Sequence, residues 1–537
     1  MLHRIEYSQR KYKVILHRLR LHSYLAIENA SHHFELIDTG KLVDSMTKAE
    51  YLRQIDEVIE NGTYKDDWSS LSGHPIPKWF TAGKLGIFIH FGVYSVPGYG
   101  SEWYSRCMYD PVCGEYEHHI KTYGPQKDFG YKDFIPMFKA EKFDAGEWAD
   151  LFRQAGVKYV MPVAEHHDGF AMYDTEFNRW NAAKMGPCKD IVGELKSACE
   201  ERGMTFCASS HRAEHYFFMN MGRTIESDVN DPEYADFYGP AVYCPEFHSH
   251  EMHRYTANVY EKGADKEWLE DWLVRTCELA DKYQPEIVYF DWWIHNQSFK
   301  PYLKKFAAYY YNRGLEWGKE VTINYKHEAF APTTAVFDVE RGALGGISPI
   351  PWQTDTAIAK NSWGYTEGNE FKSSRQIVGD LVDIVSKNGN LLLNIGPKPD
   401  GTITPEETKV LQDLGEWLSV NGEGIYETTF WKWFKEGEVN IKEGYFTDND
   451  EKAFTEKDFR FTYKDGFLYA FQMNPNGAPA KICTLAKRSG HDFLIQNVTL
   501  LGSKEATEYE RTEEGLTVKV NSDVNLELPI CFKIELG

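Results

Sequence analysis

An irregular (β/α)8-like barrel followed by an antiparallel β-sandwich is the fold this sequence predicts, and three observations carry the prediction. From Pro77 onward, short apolar runs alternate with amphipathic helical patterns, which is the signature of a parallel sheet. Those runs empty repeatedly into loops bearing histidine, acid or asparagine, and polar chemistry gathered at one set of strand ends is what a closed barrel produces. Beyond about Phe430 the helical period gives way to alternation of period two, the mark of an all-β module. An open doubly wound sheet is the alternative, but no G-x-G-x-x-G turn follows a strand.

Residues 1–75 read as a charged, weakly patterned N-terminal extension. Tyr12 to Ile27 alternates enough for a strand or two and Lys48 to Ile59 for a helix, with no role beyond packing on the main domain or on an oligomer partner. The barrel is expected over 76–431. Its strands read as Gly86–Phe91, Val157–Ala164, Thr205–Ser209, Ile287–Phe290, Val321–Asn324, Ala335–Val339 and Asn390–Asn394. Helices read as Phe143–Ala155, a segment capped by Asp190, Trp268–Tyr283, Leu303–Tyr311, Ser373–Lys387 and Thr404–Val420. An irregular insert, 216–262, interrupts the series. The sandwich is expected over 432–537, with strands flanking a Lys464-Asp465-Gly466 turn and further strands over Leu516–Val524 and Leu526–Ile534.

The formal charge of −22 argues against nucleic acid and against an anionic membrane surface as partners. Nine cysteines, scattered without a C-x-x-C, indicate neither a zinc knuckle nor a disulfide framework. With no uninterrupted apolar segment near the N-terminus, the expectation is a cytoplasmic chain without membrane span.

The richest stretch is Ile287-Val-Tyr-Phe-Asp-Trp-Trp293, a short buried-type strand that delivers one carboxylate, Asp291, followed by two large rings. A helix N-cap or a salt-bridged loop aspartate is the competing reading of Asp291; the two tryptophans favour a surface for a sugar ring. Just past the other strand ends stand His90, Glu102, Trp103, His166, His167, Asp168, His211, Asn324, Lys326, Glu340 and Trp363. Two chemistries use such a set. Asp291 and Glu340 serve as nucleophile and acid/base about a glycosidic bond, with the histidines and Trp103 holding hydroxyls and a ring face. Alternatively, histidines with Asp291 ligate a metal, as in barrel hydrolases; the adjacency of His166 and His167 and the lack of H-x-H or H-E-x-x-H count against this. A third reading is an inactive carbohydrate-binding protein.

The segment Lys84-Leu-Gly-Ile-Phe-Ile-His-Phe-Gly through Gly100-Ser-Glu-Trp-Tyr104 resembles the opening signature of glycoside hydrolase family 29, the retaining α-L-fucosidases. Glu165-His-His-Asp-Gly-Phe170, Asp281 through Asp291, Ser362-Trp-Gly-Tyr365 and Asn388 through Pro397 resemble four further blocks of that family, in order, over roughly 77–430. The resemblance implies an irregular barrel with a C-terminal sandwich, no cofactor or metal, and a terminally fucosylated glycan as substrate. It implies Asp291 as nucleophile, and His90, Glu102, Trp103, His166 and His167 as contacts to the fucose. The acid/base falls in the family's variable region; Glu340, which follows a strand, is preferred to Glu328, which sits in a polar loop. His211 and Lys326 stand where many members have other residues, so His211 is expected to take over a hydroxyl contact. Trp292, Trp363 or Tyr289 is expected to wall the sugar's 6-methyl group.

Overall fold

The computed structural model describes residues 46–243, 261–449, 454–488 and 493–537. The strands expected within Tyr12–Ile27 and part of the 216–262 insert lie outside them. Helix α1, Lys48–Asn61, opens the described chain behind a Thr47/Glu50 capping box. Its Tyr51, Ile55 and Ile59 share an apolar core with Leu71 and with helices α4, Lys266–Tyr283, and α5, Lys300–Trp317.

The barrel strands are β1 (Leu85–Ile89), β2 (Tyr159–Glu165), β3 (Thr205–Phe206 and Ala208–Ser210, interrupted at Cys207), β4 (Ile287–Phe290), β5 (Thr322–Tyr325), β6 (Val336–Asp338), β7 (Trp352–Ala357) and β8 (Gly389–Ile395). All neighbours pair in parallel, and the sheet closes because β1 pairs with both β2 and β8. Helices α2 (Ala145–Gln154) and α3 (Ile191–Glu201) join α4, α5, α6 (Ser374–Ser386) and α7 (Pro405–Asn421) among the elements that cover it. Side-chain caps at Asp144, Asp190, Asp265, Ser373 and Thr404 satisfy the first-turn amides of five of them.

Period-two alternation sorts each strand into an outward and a lumenal row. Val288 and Phe290 face the helical layer, while Ile287 and Tyr289 join Phe88, Met161, Val163, Cys207, Val336 and Leu392 in one lumenal cluster. Gly86 makes room for this cluster, since a Cβ there would stand 2.2 Å from the Tyr159 ring. Continued by two residues past the apolar layer, the lumenal row reaches His90 after Phe88, Asp291 after Tyr289 and Asn394 after Leu392. Continued similarly it reaches Ser209 and His211 after Cys207, and Asp338 and Glu340 after Val336. The pleat of the sheet therefore delivers the polar groups to one mouth.

Strand β7 was not among the expected strands. Its lumenal positions are Gln353 and Asp355, and its sequence Trp-Gln-Thr-Asp-Thr-Ala lacks the apolar run that marks the others. Burial makes it a strand all the same, with Gln353 Nε2 donating to Asp338 at 2.8 Å and Tyr289 Oη donating to Asp355 at 2.9 Å.

The C-terminal module is a sandwich of a five-stranded and a three-stranded antiparallel sheet. The first holds β9 (Thr429–Glu436), β10 (Phe459–Lys464), β11 (Phe467–Gln472), β13 (Ile495–Leu500) and β16 (Ile530–Leu536); the second holds β12 (Ala480–Ile482), β14 (Tyr509–Thr512) and β15 (Gly515–Val518). Phe461, Leu468 and Phe532 from one sheet meet Ile482, Leu516 and Val518 from the other. Left-handed backbone at Asp465 and Gly466, φ 50° and 89°, makes the hairpin turn between β10 and β11. The strands expected over Leu516–Val524 and Leu526–Ile534 are shorter than the alternation suggested. Asn521 and Asp523 tie the intervening chain to Ser503 at 2.7 and 2.8 Å, and Pro529 offers no ladder donor. Fully buried Arg460 pairs with Asp383 of α6, fastening sandwich to barrel. No helix among the described residues is long and apolar enough to cross a membrane.

Candidate active site

Asp291 and Glu340 meet on one cation. Lys326, next in the lumenal row of β5 after Asn324, is buried with its ammonium 2.9 Å from Asp291 Oδ1, hydrogen-bonded to Glu340 Oε2, and 3.6 Å from Asp355. The rings of Tyr289 and Trp292 lie 5.5 and 5.4 Å from the same nitrogen. Burial opposes the charge of Lys326, but Asp291, Asp355 and Glu340 hold its pKa well above the usual lysine range.

The two carboxyls are pulled apart in acidity. Burial would raise Asp291, but Lys326, His211 and the hydrogen bond from His167 hold it well below the usual carboxylate range. His167 Nε2 stands 3.2 Å from Asp291 Oδ2, and its Nδ1 donates to the His211 carbonyl at 2.8 Å. Burial works against the His167 imidazolium, yet Asp291 and Glu214 lift its pKa to about 9. Glu340 has no such company. Burial raises it against the pull of Lys326, Asp291 and Asp355 add repulsion, and its pKa reaches about 7. Trp292 Nε1 also donates to Glu340 Oε2.

The remaining expected residues are brought together with different tasks. His90 Nδ1 pairs with Asn394 Oδ1 at 2.6 Å, and its ring stacks on Trp363 at 5.2 Å and 27°. Glu102 Oε2 accepts from Ser362 Oγ at 3.0 Å and from the Trp363 amide at 2.9 Å, so it sets the position of Trp363. Trp103 packs edge-on against Phe218 and His167. His211 Nδ1 lies 3.2 Å from Asp291 Oδ2. Buried polar atoms without a hydrogen-bond partner in the protein cluster here: His166 Nδ1, His211 Nε2, Asn324 Oδ1 and Nδ2, Ser209 Oγ and Tyr94 Oη. Donors and acceptors this closely interleaved suit a polyhydroxylated ring.

Three expectations need correction. Asp168 does not face the mouth; it accepts from Tyr131 Oη at 2.7 Å and from the Phe170 amide at 3.1 Å, and so shapes the turn. Gly169 in that turn has φ +80° and a Cβ there would meet His215 at 2.5 Å. Trp293 is fully buried against Tyr216, Phe217 and Phe299, so only Trp292 of the pair reaches the site. Tyr289 lies below the mouth with its hydroxyl on Asp355, inside the barrel layer. Three further acids belong to the site: Glu214 beside His167 at 3.9 Å, Asp355 at 3.6 Å from Lys326, and Asp338 against Asp355. Glu214 stands in the polar run after β3, the one signal that points to it; Asp355 is hidden because β7 lacks an apolar run, and Asp338 because it lies within its strand and not past the end.

Glu328 is exposed, and its carbonyl accepts from Lys300 Nζ. Among the described residues, ligating atoms of His90, His166 and His211 lie within 4.8 Å of one another, as do those of His167, His211 and Asp291 and those of Cys107, Cys113 and Glu115. The first two groups overlap the polar cluster just described, so the same imidazoles could hold an ion or a ring of hydroxyls. Burial first, and then neighbouring histidines, keep His90 and His166 well below the usual histidine range, hence neutral.

A family model described as alpha-L-fucosidase matches residues 51–423. Human plasma alpha-L-fucosidase is 32% identical over 380 residues, covering 68% of this chain and 72% of that protein. Bovine tissue alpha-L-fucosidase is 31% identical over 373 residues, covering 69% and 73%. The solved structure of Thermotoga maritima alpha-fucosidase in complex with fucose superposes with a TM-score of 0.68 at 29% identity, covering 88% of this chain and 100% of that one. A barrel mouth of this geometry, matched over most of its length to these proteins, places the chain in the α-L-fucosidase family.

Proposed function

We propose that this protein is a retaining exo-glycosidase that releases terminal α-L-fucose from oligosaccharides or glycoconjugates, with Asp291 as nucleophile and Glu340 as acid/base. One observation carries the reading: two carboxyls share the Lys326 ammonium while their surroundings drive their acidities in opposite directions. Oxygens bound to one nitrogen stand no more than about 6 Å apart. That spacing suits direct attack by one carboxylate and leaves little room for the water an inverting enzyme places between them. Relatives support the substrate, since a related structure holds fucose and another a mechanism-based inhibitor.

Asp291, ionised and held by His167, attacks the anomeric carbon as Glu340 gives its proton to the departing oxygen. The glycosidic bond breaks and a β-linked glycosyl ester forms on Asp291. Glu340, now a carboxylate, takes a proton from water as that water displaces the ester, and the sugar leaves with its α configuration. Imidazoles kept neutral, as at His90 and His166, can accept from or donate to hydroxyls without a net charge.

The test is a 2-deoxy-2-fluoro-fucosyl fluoride, which should leave an ester on the peptide bearing Asp291, together with NMR of an aryl α-L-fucoside showing α-fucose formed first. First-formed β-fucose, or an adduct elsewhere, overturns the mechanism. The proximity of His90, His166 and His211 sustains a second reading, a metal-assisted hydrolase. Loss of activity on dialysis against a chelator, restored by one equivalent of zinc, selects it. Fucose binding without turnover selects a carbohydrate-binding protein instead.

A further inference from the structure

Residues 437–449 leave the sandwich after β9 and return to the barrel mouth beside Glu340. The Phe446 amide donates to the Glu340 carbonyl at 3.0 Å, and the Thr447 and Asp448 amides donate to the Arg341 carbonyl at 2.7 and 3.0 Å. Ala343 and Gly444 exchange both backbone hydrogen bonds, at 3.0 and 3.3 Å. The approach is close enough that a Cβ on Gly342 would stand 1.8 Å from the Gly444 oxygen. Asp448 anchors the far end on Lys372, Thr356 and Arg341. The arm is thus fixed to the very segment that carries Glu340.

What this arm presents is aromatic. Phe446 stacks on Trp292 at 6.1 Å and 15°, and Tyr445 lies 5.3 Å from the same indole and stacks on His327 at 5.2 Å and 23°. Trp292 in turn is hydrogen-bonded to the Glu340 carboxyl. Phe446 is 59% exposed and holds φ +56°. A bulky residue in left-handed backbone is strained, and at this exposure burial does little to offset the cost.

Resting on the glycosidase reading, we propose that Phe446, with Trp292 and Tyr445, forms the subsite for the leaving group, and that this group is a neutral pyranose laying its apolar C–H face on the rings. The geometry of proton donation requires it: the oxygen Glu340 protonates belongs to the leaving sugar, so that sugar must sit beside Glu340, where these rings are. Their flat faces offer apolar contact, and a chain of charge −22 disfavours an anionic group. Specificity for the residue beyond fucose then resides in an arm of the sandwich module, with the fucose pocket itself built by the barrel.

The experiment compares Phe446→Asn, whose side chain tolerates this backbone, with wild type on an α-fucosyl-galactoside and on α-fucosyl fluoride, which has no sugar to bind there. The variant should lose roughly tenfold in kcat/KM on the disaccharide. On the fluoride it should stay within about twofold, with unchanged inhibition by fucose and an unchanged or higher Tm. Phe446→Trp should keep the disaccharide rate. An equal loss on both substrates means the arm serves Glu340 and not the leaving sugar, and an undiminished disaccharide rate means the ring is plain surface; either overturns the proposal. Wild-type protein inert toward the fluoride refutes the glycosidase reading, and this subsite with it.

Discussion

Asp291 and Glu340 differ less in burial than in company. Both are nearly inaccessible, and both touch Lys326. On the Asp291 side two imidazoles converge on Oδ2, and one of them is held cationic by Asp291 and Glu214 together. On the Glu340 side the added neighbours are an indole N–H and another carboxylate, Asp355. A shared cation therefore does not equalise two acids; the second neighbour of each decides which holds its proton near neutrality.

The largest loss is expected at Asp291. Asp291→Ala removes the proposed nucleophile and should lower kcat by on the order of 10^4-fold or more on every fucoside, including the fluoride. Azide with Asp291→Gly should give the β-fucosyl azide, a single displacement. Survival of more than a few per cent of wild-type turnover would exclude Asp291 as nucleophile.

Glu340→Ala should behave differently, with a loss of about 10^2- to 10^4-fold on sugar leaving groups and little loss in the first step on fluoride or an activated aryl fucoside. Azide should then restore turnover of the aryl substrate and yield the α-fucosyl azide, since a second inversion follows the first. Opposite anomers from the two variants would establish the two roles; the same anomer from both would refute them.

Lys326→Met sharpens the electrostatic half of the comparison. The proposed mechanism needs Glu340 protonated, so kcat/KM of the native protein should fall as pH rises through about 7, where Glu340 loses its proton. Lys326 pulls the pKa of Glu340 down, so its removal should move that basic limb to higher pH. The acidic limb should also move up, because Lys326 helps keep Asp291 ionised. Breaking a buried ionic contact costs about 3–5 kcal/mol, so Tm should drop as well. A basic limb that stays in place or moves down would show that Lys326 does not set the acidity of Glu340.

How far the site was legible follows from the strands. Where apolar residues precede the functional one, as Ile287 to Phe290 precede Asp291, burial and parity can both be read from sequence, and the residue two past the lumenal layer declares itself. Strand β7 could not be read that way, because Gln353 and Asp355 occupy its lumenal row and Thr354 and Thr356 add no apolar contrast. Its partners, Asp338 and Tyr289, are remote in sequence and become informative only once paired. Trp292 and Trp293 teach the same limit. Adjacent and chemically alike, they part because Trp293 adopts φ +72° and turns into the core. The arm at 437–449 is hidden for another reason: what fastens it to residues 340–343 is backbone-to-backbone hydrogen bonding, which side-chain patterning does not record.

The smallest expected effect concerns Glu328, the rival acid/base. It lies only two residues beyond Lys326, yet exposed in the loop, with its carbonyl engaged by Lys300. The carboxyls that meet on Lys326 are those of Asp291, Glu340 and Asp355. Glu328→Ala should change kcat/KM on an α-fucosyl disaccharide by less than about twofold, with the pH profile unmoved and no azide rescue. Should azide rescue Glu328→Ala and fail with Glu340→Ala, the proton donor is Glu328, and the loop 326–330 must close over the substrate to bring it there. The proposed retaining mechanism through Asp291 would survive that result, because it puts the ester on the histidine side of the site whichever acid stands opposite.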